Sequence, residues 1–284
     1  MAPQDLLQLN LTEIIRTRAG KRGRLIPRFL LRGLERVIRQ EELNKMLRVA
    51  YPATGSEFSS RILNHLDITV SVKGLDSIAA TGEKYIFASN HPLGGLDGIA
   101  LVAVLGSRYG DDNIKVMVND LLMNVSPLAD VFLPVNKYGS AGARESSRLL
   151  SKALDEGKQI VMFPAGLVSR LHDDGSVRDL EWKKSFVTKA LESGRKIVPV
   201  KFEAANSMKF YRLANYRKKA GIIINIEQAL LPSELCKSRS KRFSINFHKP
   251  VDPVEMRATG MSVNELVRSI YNMVYNMPSS SFHK

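Results

Sequence analysis

Cysteine is nearly absent from this sequence of 284 residues, with Cys236 standing alone. One thiol can close no intrachain bridge and build no cysteine-based metal centre, which fits a reducing compartment. Tryptophan is as scarce, with Trp182 the single example, and all aromatics together make up 7% of the chain. Long apolar runs are also missing. The longest, Ile99 to Leu105, falls far short of the roughly 20 residues that cross a bilayer. The opening Met-Ala-Pro-Gln-Asp has neither the basic start nor the apolar stretch of a leader peptide. Any membrane contact is therefore expected to be peripheral. The five histidines show no ligand spacing, so no metal is expected. Acidic residues are in deficit: 28 Asp and Glu against 42 Lys and Arg leave a net charge of +14. A surplus of that size points to an anionic partner, whether nucleic acid, an anionic bilayer or an acidic soluble protein. With no recognised binding motif and few aromatics, nucleic acid is not expected.

Apolar residues make up 44% of the chain, ample for one large domain or a domain with an accessory region. Residues 1–65 differ in pattern from the rest. Helical stretches over 4–18 and 25–50 are joined by the basic turn Gly20-Lys21-Arg22-Gly23-Arg24. In the second stretch Ile26, Phe29, Leu30, Leu34, Val37 and Ile38 share a helical face, with Arg28, Arg32, Arg36 and Arg39 nearly opposite. Two readings stand: a solvated basic face over a core-packing one, or a membrane-docking region resting on anionic headgroups. Residues 66–276 form the main domain, and 277–284 a polar tail. Within the domain, strands are expected at Ile68–Lys73, Tyr85–Ser89, Lys115–Val118, Val131–Val135, Gln159–Phe163, Ile197–Phe202, Ile222–Ile226 and Phe243–Phe247. Helices are expected at 97–108, 142–156, 182–193 and 262–276. Such alternation predicts an α/β fold, a sheet with helices packed on its faces.

Three stretches could carry chemistry. In Ser89-Asn90-His91-Pro92-Leu93-Gly94-Gly95-Leu96-Asp97-Gly98 a strand runs into a loop at its carboxyl end, where α/β folds place ligands. Gly94 and Gly95 let the chain bend so that the Asp97 carboxylate can approach the His91 ring. A neutral imidazole is a suitable general base, and a carboxylate on its far nitrogen fixes the tautomer and supports the imidazolium. A loop histidine beside an aspartate that merely caps a helix would leave the same pattern. In Phe163-Pro164-Ala165-Gly166-Leu167-Val168-Ser169-Arg170 another strand meets a turn ending in a hydroxyl and a guanidinium, suited to an anion or a developing oxyanion. A strand-ending turn with a surface arginine is the plain alternative. Around Trp182, Lys183 and Lys184 flank an aromatic pair with Phe186 that reads mainly as a core anchor, the lysines facing an anionic substrate or headgroups.

Together these stretches resemble the PlsC-like glycerolipid acyltransferases, and more closely the hemolysin-like branch that O-acylates lyso-aminolipids. Four blocks follow the family's order: Asn90-His91-Pro92 to Asp97, Val131 to Lys137, Phe163-Pro164-Ala165-Gly166, and Ile197-Val198-Pro199-Val200. Five residues separate His91 from Asp97 where the family usually has four. Ala165 stands in place of its glutamate, and Leu167 and Val168 in place of its Thr and Arg. The resemblance implies a mixed, mostly parallel sheet flanked by helices, His91 and Asp97 as the catalytic dyad, and substrate contacts from Asn90, Gly94, Gly95, Lys137, Phe163, Pro164, Ala165, Gly166, Ser169 and Arg170. It implies transfer of a fatty acyl group from acyl carrier protein or coenzyme A, as thioester co-substrate and with no other cofactor, to the hydroxyl of a lyso-lipid. The altered phosphate contacts imply a lyso-glycine or lyso-ornithine acceptor. The alternatives are a 1-acylglycerol-3-phosphate acyltransferase and a non-catalytic basic binding module. The expected location is the cytoplasmic face of an anionic membrane.

Overall fold

The computed structural model describes residues 28–135, 140–221 and 225–277. The described strands, in chain order, are β1 (Thr69–Lys73), β2 (Tyr85–Ser89), β3 (Ile114–Asn119), β4 (Phe132–Val135), β5 (Gln159–Met162), β6 (Arg170–Leu171), β7 (Val177–Arg178), β8 (Lys196–Glu203) and β9 (Arg242–Phe247). Seven of them form one sheet in the order β1-β9-β8-β2-β5-β3-β4, and β6 and β7 pair as a separate hairpin. Every neighbour in the sheet is parallel except β8 with β9. The helices are α1 (Arg28–Ile38), α2 (Gln40–Ala50), α3 (Gly55–His65), α4 (Gly95–Tyr109), α5 (Ser140–Asp155), α6 (Ser185–Ser193), α7 (Met208–Lys219), α8 (Leu231–Lys237), α9 (Pro253–Ala258) and α10 (Val263–Tyr275). A mixed, mostly parallel sheet flanked by helices is the expected class.

Central parallel strands are buried on both faces, so they read as continuous apolar runs. Strand β2 is buried throughout, with Tyr85 and Phe87 entering one core and Ile86 and Ala88 the other. On the first face Phe58 and Ile62 of α3 and Leu101 and Leu105 of α4 meet Phe87, Val161, Val198 and Phe202. On the second, Leu150 of α5, Phe186 of α6 and Ile270 and Val274 of α10 meet Ile86, Ile160 and Ile197.

Several expectations need correction. The helix over 25–50 is two helices, α1 and α2, separated where Arg39 takes a left-handed φ of 57°. Met46, Leu47, Phe58, Ile62 and Leu66 belong to the same core as the sheet. No strand runs to Ile226. That residue opens a 3-10 turn, Ile226–Leu230, which the buried Glu227 ties to Arg170. The rest of that expected strand, Ile222 to Ile224, lies outside the described residues, as do the helix over 4–18, the basic turn after it, Lys137 and residues 278–284 of the tail. Helices α3, α7, α8 and α9 were not anticipated.

Candidate active site

His91 follows the end of β2 by two residues, and Asp97 is the third residue of α4. Gly94, with φ 88°, turns the chain into the helix, and a Cβ there would meet Leu231 Cδ1 at 3.1 Å. Only glycine takes such a conformation without strain. The bend absorbs the five-residue separation and sets Nδ1 of His91 2.8 Å from Oδ2 of Asp97. The ring meets that oxygen off the ideal hydrogen-bond line. Asp97 is wholly buried, and its oxygens accept the Leu93 N–H (3.1 and 3.0 Å) and the Gly94 N–H (3.1 Å). Burial pushes the Asp97 carboxyl upward, against the downward pull of His91 and these amides. With Nδ1 turned to Asp97, Nε2 has no protein partner among the described residues, and the side chain stays 19% exposed. The other face of the ring stacks on Phe163, centroids 4.3 Å apart.

The remaining residues marked in the sequence fall into two groups. Asn90 is tied into the sheet: its Nδ2 donates to the Phe202 carbonyl (3.0 Å) and its Oδ1 accepts the Phe202 N–H (2.6 Å). That pairing extends the strand contact of β2 with β8. Ser169 gives its hydroxyl to Asp179 (2.6 Å). Arg170 is buried, with one nitrogen 2.7 Å from Glu227 and another donating to the Val168 carbonyl. Arg217 closes a triad on Glu227 at 2.9 Å. The Arg170 guanidinium is thus committed inside the protein.

By contrast, Ala165 and Gly166, directly after Phe163-Pro164, line a groove of about 430 Å³ together with Asn119, Val135, Leu167, Leu180, Glu181, Lys183, Asn225 and Gln228. Among these, Asn119, Glu181, Lys183, Asn225 and Gln228 supply polar groups that motif reading did not mark as contacts. Lys183 alone had a sequence signal, as a cation beside the aromatic pair. Two amides of these turns are already used: Gly94 N–H by Asp97, and Gly166 N–H by the Phe163 carbonyl. The amides of Gly95 and Leu96, in the first turn of α4, have no acceptor within the helix and sit at the positive end of its dipole. Sequence reading also passed over Asp179, which lies directly after β7. It is 1% exposed and accepts from the His91 N–H (3.2 Å), the Ser169 hydroxyl and Trp182 Nε1 (2.9 Å).

A histidine and carboxylate beside a groove at the carboxyl ends of parallel strands suit general-base transfer to a hydroxyl. The chain belongs to the acyltransferase family, whose model matches residues 13–281; it is an acyltransferase. It is 41% identical over 251 residues to a lyso-glycine lipid O-acyltransferase of Phocaeicola vulgatus, covering 88% of each chain. A protein of the same name from Bacteroides thetaiotaomicron is also 41% identical over 251 residues, covering 88% of this chain and 91% of the relative. Among solved structures it is similar to the 1-acyl-sn-glycerophosphate acyltransferase PlsC of Thermotoga maritima, at 20% identity and a TM-score of 0.45 over 87% of this chain and 88% of that one.

Proposed function

We propose that the protein transfers a fatty acyl group from a thioester, carried by acyl carrier protein or coenzyme A, to the hydroxyl of a lyso-glycine lipid at an anionic membrane surface. The observation that carries the chemistry is the 2.8 Å approach of His91 Nδ1 to the buried Asp97, which leaves Nε2 as the basic nitrogen. The choice of acceptor rests on the 41% identity to the two lyso-glycine lipid enzymes, spanning 88% of this chain.

In the proposed reaction Nε2 takes the hydroxyl proton as the acceptor oxygen attacks the thioester carbon. The tetrahedral oxyanion lies toward the Gly95 and Leu96 amides, where a well-placed donor contributes about 3–4 kcal/mol. Collapse expels the thiolate, and the imidazolium returns the proton to it. The ester forms, the thioester breaks, and no acyl-enzyme is needed. The groove beside Ala165 takes the acceptor head, with Lys183 the cation at its rim. Ala165 leaves that wall apolar, which favours a head group other than phosphate.

Membrane contact is supported by α7, whose exposed residues include Lys209, Arg212, Lys218 and Lys219 around Met208 and Tyr216, the last 70% exposed. Arg32 and Arg36 of α1 are exposed as well. Both helices pack on the 226–230 turn, whose Gln228 lines the groove. Each basic residue near an anionic bilayer adds about 1 kcal/mol. Among the described residues no helix is long and apolar enough to cross a membrane.

The test is transfer of labelled palmitate from acyl carrier protein and from coenzyme A to a panel of lyso-lipids on anionic vesicles. Lyso-glycine lipid is expected to be acylated and lysophosphatidic acid not. Preference for the phosphate-bearing acceptor would overturn the choice of acceptor. No transfer to any acceptor from folded, vesicle-bound protein would favour a binding role.

A further inference from the structure

The β6–β7 hairpin takes no part in the main sheet, yet both of its ends stop at His91. Arg170 pairs with Arg178 and Leu171 with Val177, and one further step along this register sets Ser169 opposite Asp179. The Ser169 N–H donates to the His91 carbonyl at 2.9 Å, and Asp179 Oδ1 accepts the His91 N–H at 3.2 Å. His91 is thus held on both sides of its main chain by the two feet of one hairpin.

The feet are themselves fastened. The Ser169 hydroxyl reaches Asp179 Oδ1 at 2.6 Å, and Trp182 Nε1 reaches Oδ2 at 2.9 Å. The Asp179 N–H donates to the Tyr275 hydroxyl (2.7 Å), and the Tyr271 hydroxyl donates to the Asp179 carbonyl (3.1 Å). Burying a carboxylate is costly unless donors surround it, and here three donors converge on one that touches no groove residue by hydrogen bond.

We propose that this hairpin is a clamp that fixes the place of the His91 main chain, with Asp179 and Ser169 as positioning residues for the reaction. The proposal rests on the reading of His91 as general base. Asp97 and Phe163 set the direction and tilt of the ring, but neither touches the His91 backbone. A ring of correct orientation on a displaced backbone misses the hydroxyl, and an error near 1 Å can cost about a hundredfold in rate.

The test uses the full chain with Asp179→Asn and Ser169→Ala, measuring kcat and both KM values beside thermal stability. Asp179→Asn keeps one acceptor oxygen and turns an amide NH₂ toward one of the donors. Its kcat is expected to fall about ten- to a hundredfold, by the cost of misplacement, with KM for donor and acceptor within about twofold of wild type. Ser169→Ala retains the backbone contact to His91 and loses only the hydroxyl, so kcat falls by about three- to tenfold, the worth of one hydrogen bond. Should the Asn variant fail to fold, Ser169→Ala decides. Wild-type kcat in a folded variant overturns the clamp, and a raised KM with kcat intact makes the residue a substrate contact instead. His91→Ala distinguishes the two readings. If it is inactive while Ser169→Ala and Asp179→Asn keep full activity, only the clamp is lost. If it is fully active, the general-base reading falls and the clamp with it.

Discussion

Replacing Asp97 by Asn tests the dyad most sharply, because asparagine fits the space and changes only charge and hydrogen bonding. The carboxylate is completely buried and serves the His91 ring nitrogen at 2.8 Å and two backbone amides at 3.0–3.1 Å. An amide side chain has one acceptor oxygen. If it takes the Oδ2 position, its NH₂ meets the Leu93 N–H, donor against donor. If it turns over, the NH₂ faces Nδ1, and the imidazole must accept there and carry its proton on Nε2. The base is then lost to the wrong tautomer, and in either pose no negative charge supports the imidazolium. An amide in this position costs a general-base histidine about three to four powers of ten in kcat, or roughly 4–5.5 kcal/mol of transition-state stabilisation. Leaving one buried donor unpaired adds about 1–3 kcal/mol of lost stability. The assay is single-turnover acyl transfer at a temperature well below the variant's Tm. A folded Asp97→Asn protein within tenfold of the wild-type rate would refute the dyad.

Other outcomes are expected from the same geometry. Glu227→Gln removes the buried carboxylate that Arg170 and Arg217 share, and stability should drop by about 3–5 kcal/mol, read as a fall in Tm with the hairpin exposed to protease. Gly94→Ala must place a side chain at φ 88° against Leu231 and should destabilise by about 1–3 kcal/mol, whereas a Cβ at Gly95 meets nothing within 4 Å and Gly95→Ala should keep the wild-type Tm. Burial beside Glu42 lifts the Cys236 thiol to about 11, so at pH 8 it should react with maleimide only after unfolding, and rapid labelling of native protein would contradict this. Glu234 is held below its ordinary value: burial opposes ionisation, but Lys237 and the Ser207 amide and hydroxyl outweigh it. The unfolded chain therefore binds the extra proton first, and this contribution to stability is full above about pH 4.5 and lost as pH falls through the lower folded value. Unfolding measured between pH 6 and 3 should be less pH-dependent in Glu234→Gln.

The parts of the fold that could be read directly share one cause. A central parallel strand buried on both faces leaves an apolar run, and Tyr85–Ser89 and Gln159–Met162 were visible for that reason, as was the glycine-rich loop carrying His91 to Asp97. Helix α7 gave no such signal, since its exposed surface is crowded with Lys and Arg and only Phe210, Tyr211 and Ala214 turn inward. The acidic residues were harder still. A carboxylate usually faces solvent, and what makes Asp179 and Glu227 internal includes partners far off in sequence, His91 for the first and Arg170 for the second. For the same reason Arg170 read as a ligand for a substrate anion, when its counter-ion is Glu227 of this chain.

The place of β9 in the sheet has a consequence for the order in which the molecule is made. Strand β1 pairs with β9, Thr69 against Arg242 through Lys73 against Asn246, so an early strand waits for one synthesised near the end. Until then β8 also presents a bare edge, the kind that templates aggregation. The Tyr271 and Tyr275 hydroxyls that hold Asp179 come later again. A nascent chain on the ribosome can therefore own His91, Asp97 and the groove and still lack a finished active site. Activity should arise only on release of the whole chain, and ribosome-stalled chains ending before Arg242 should be cut by protease at β1.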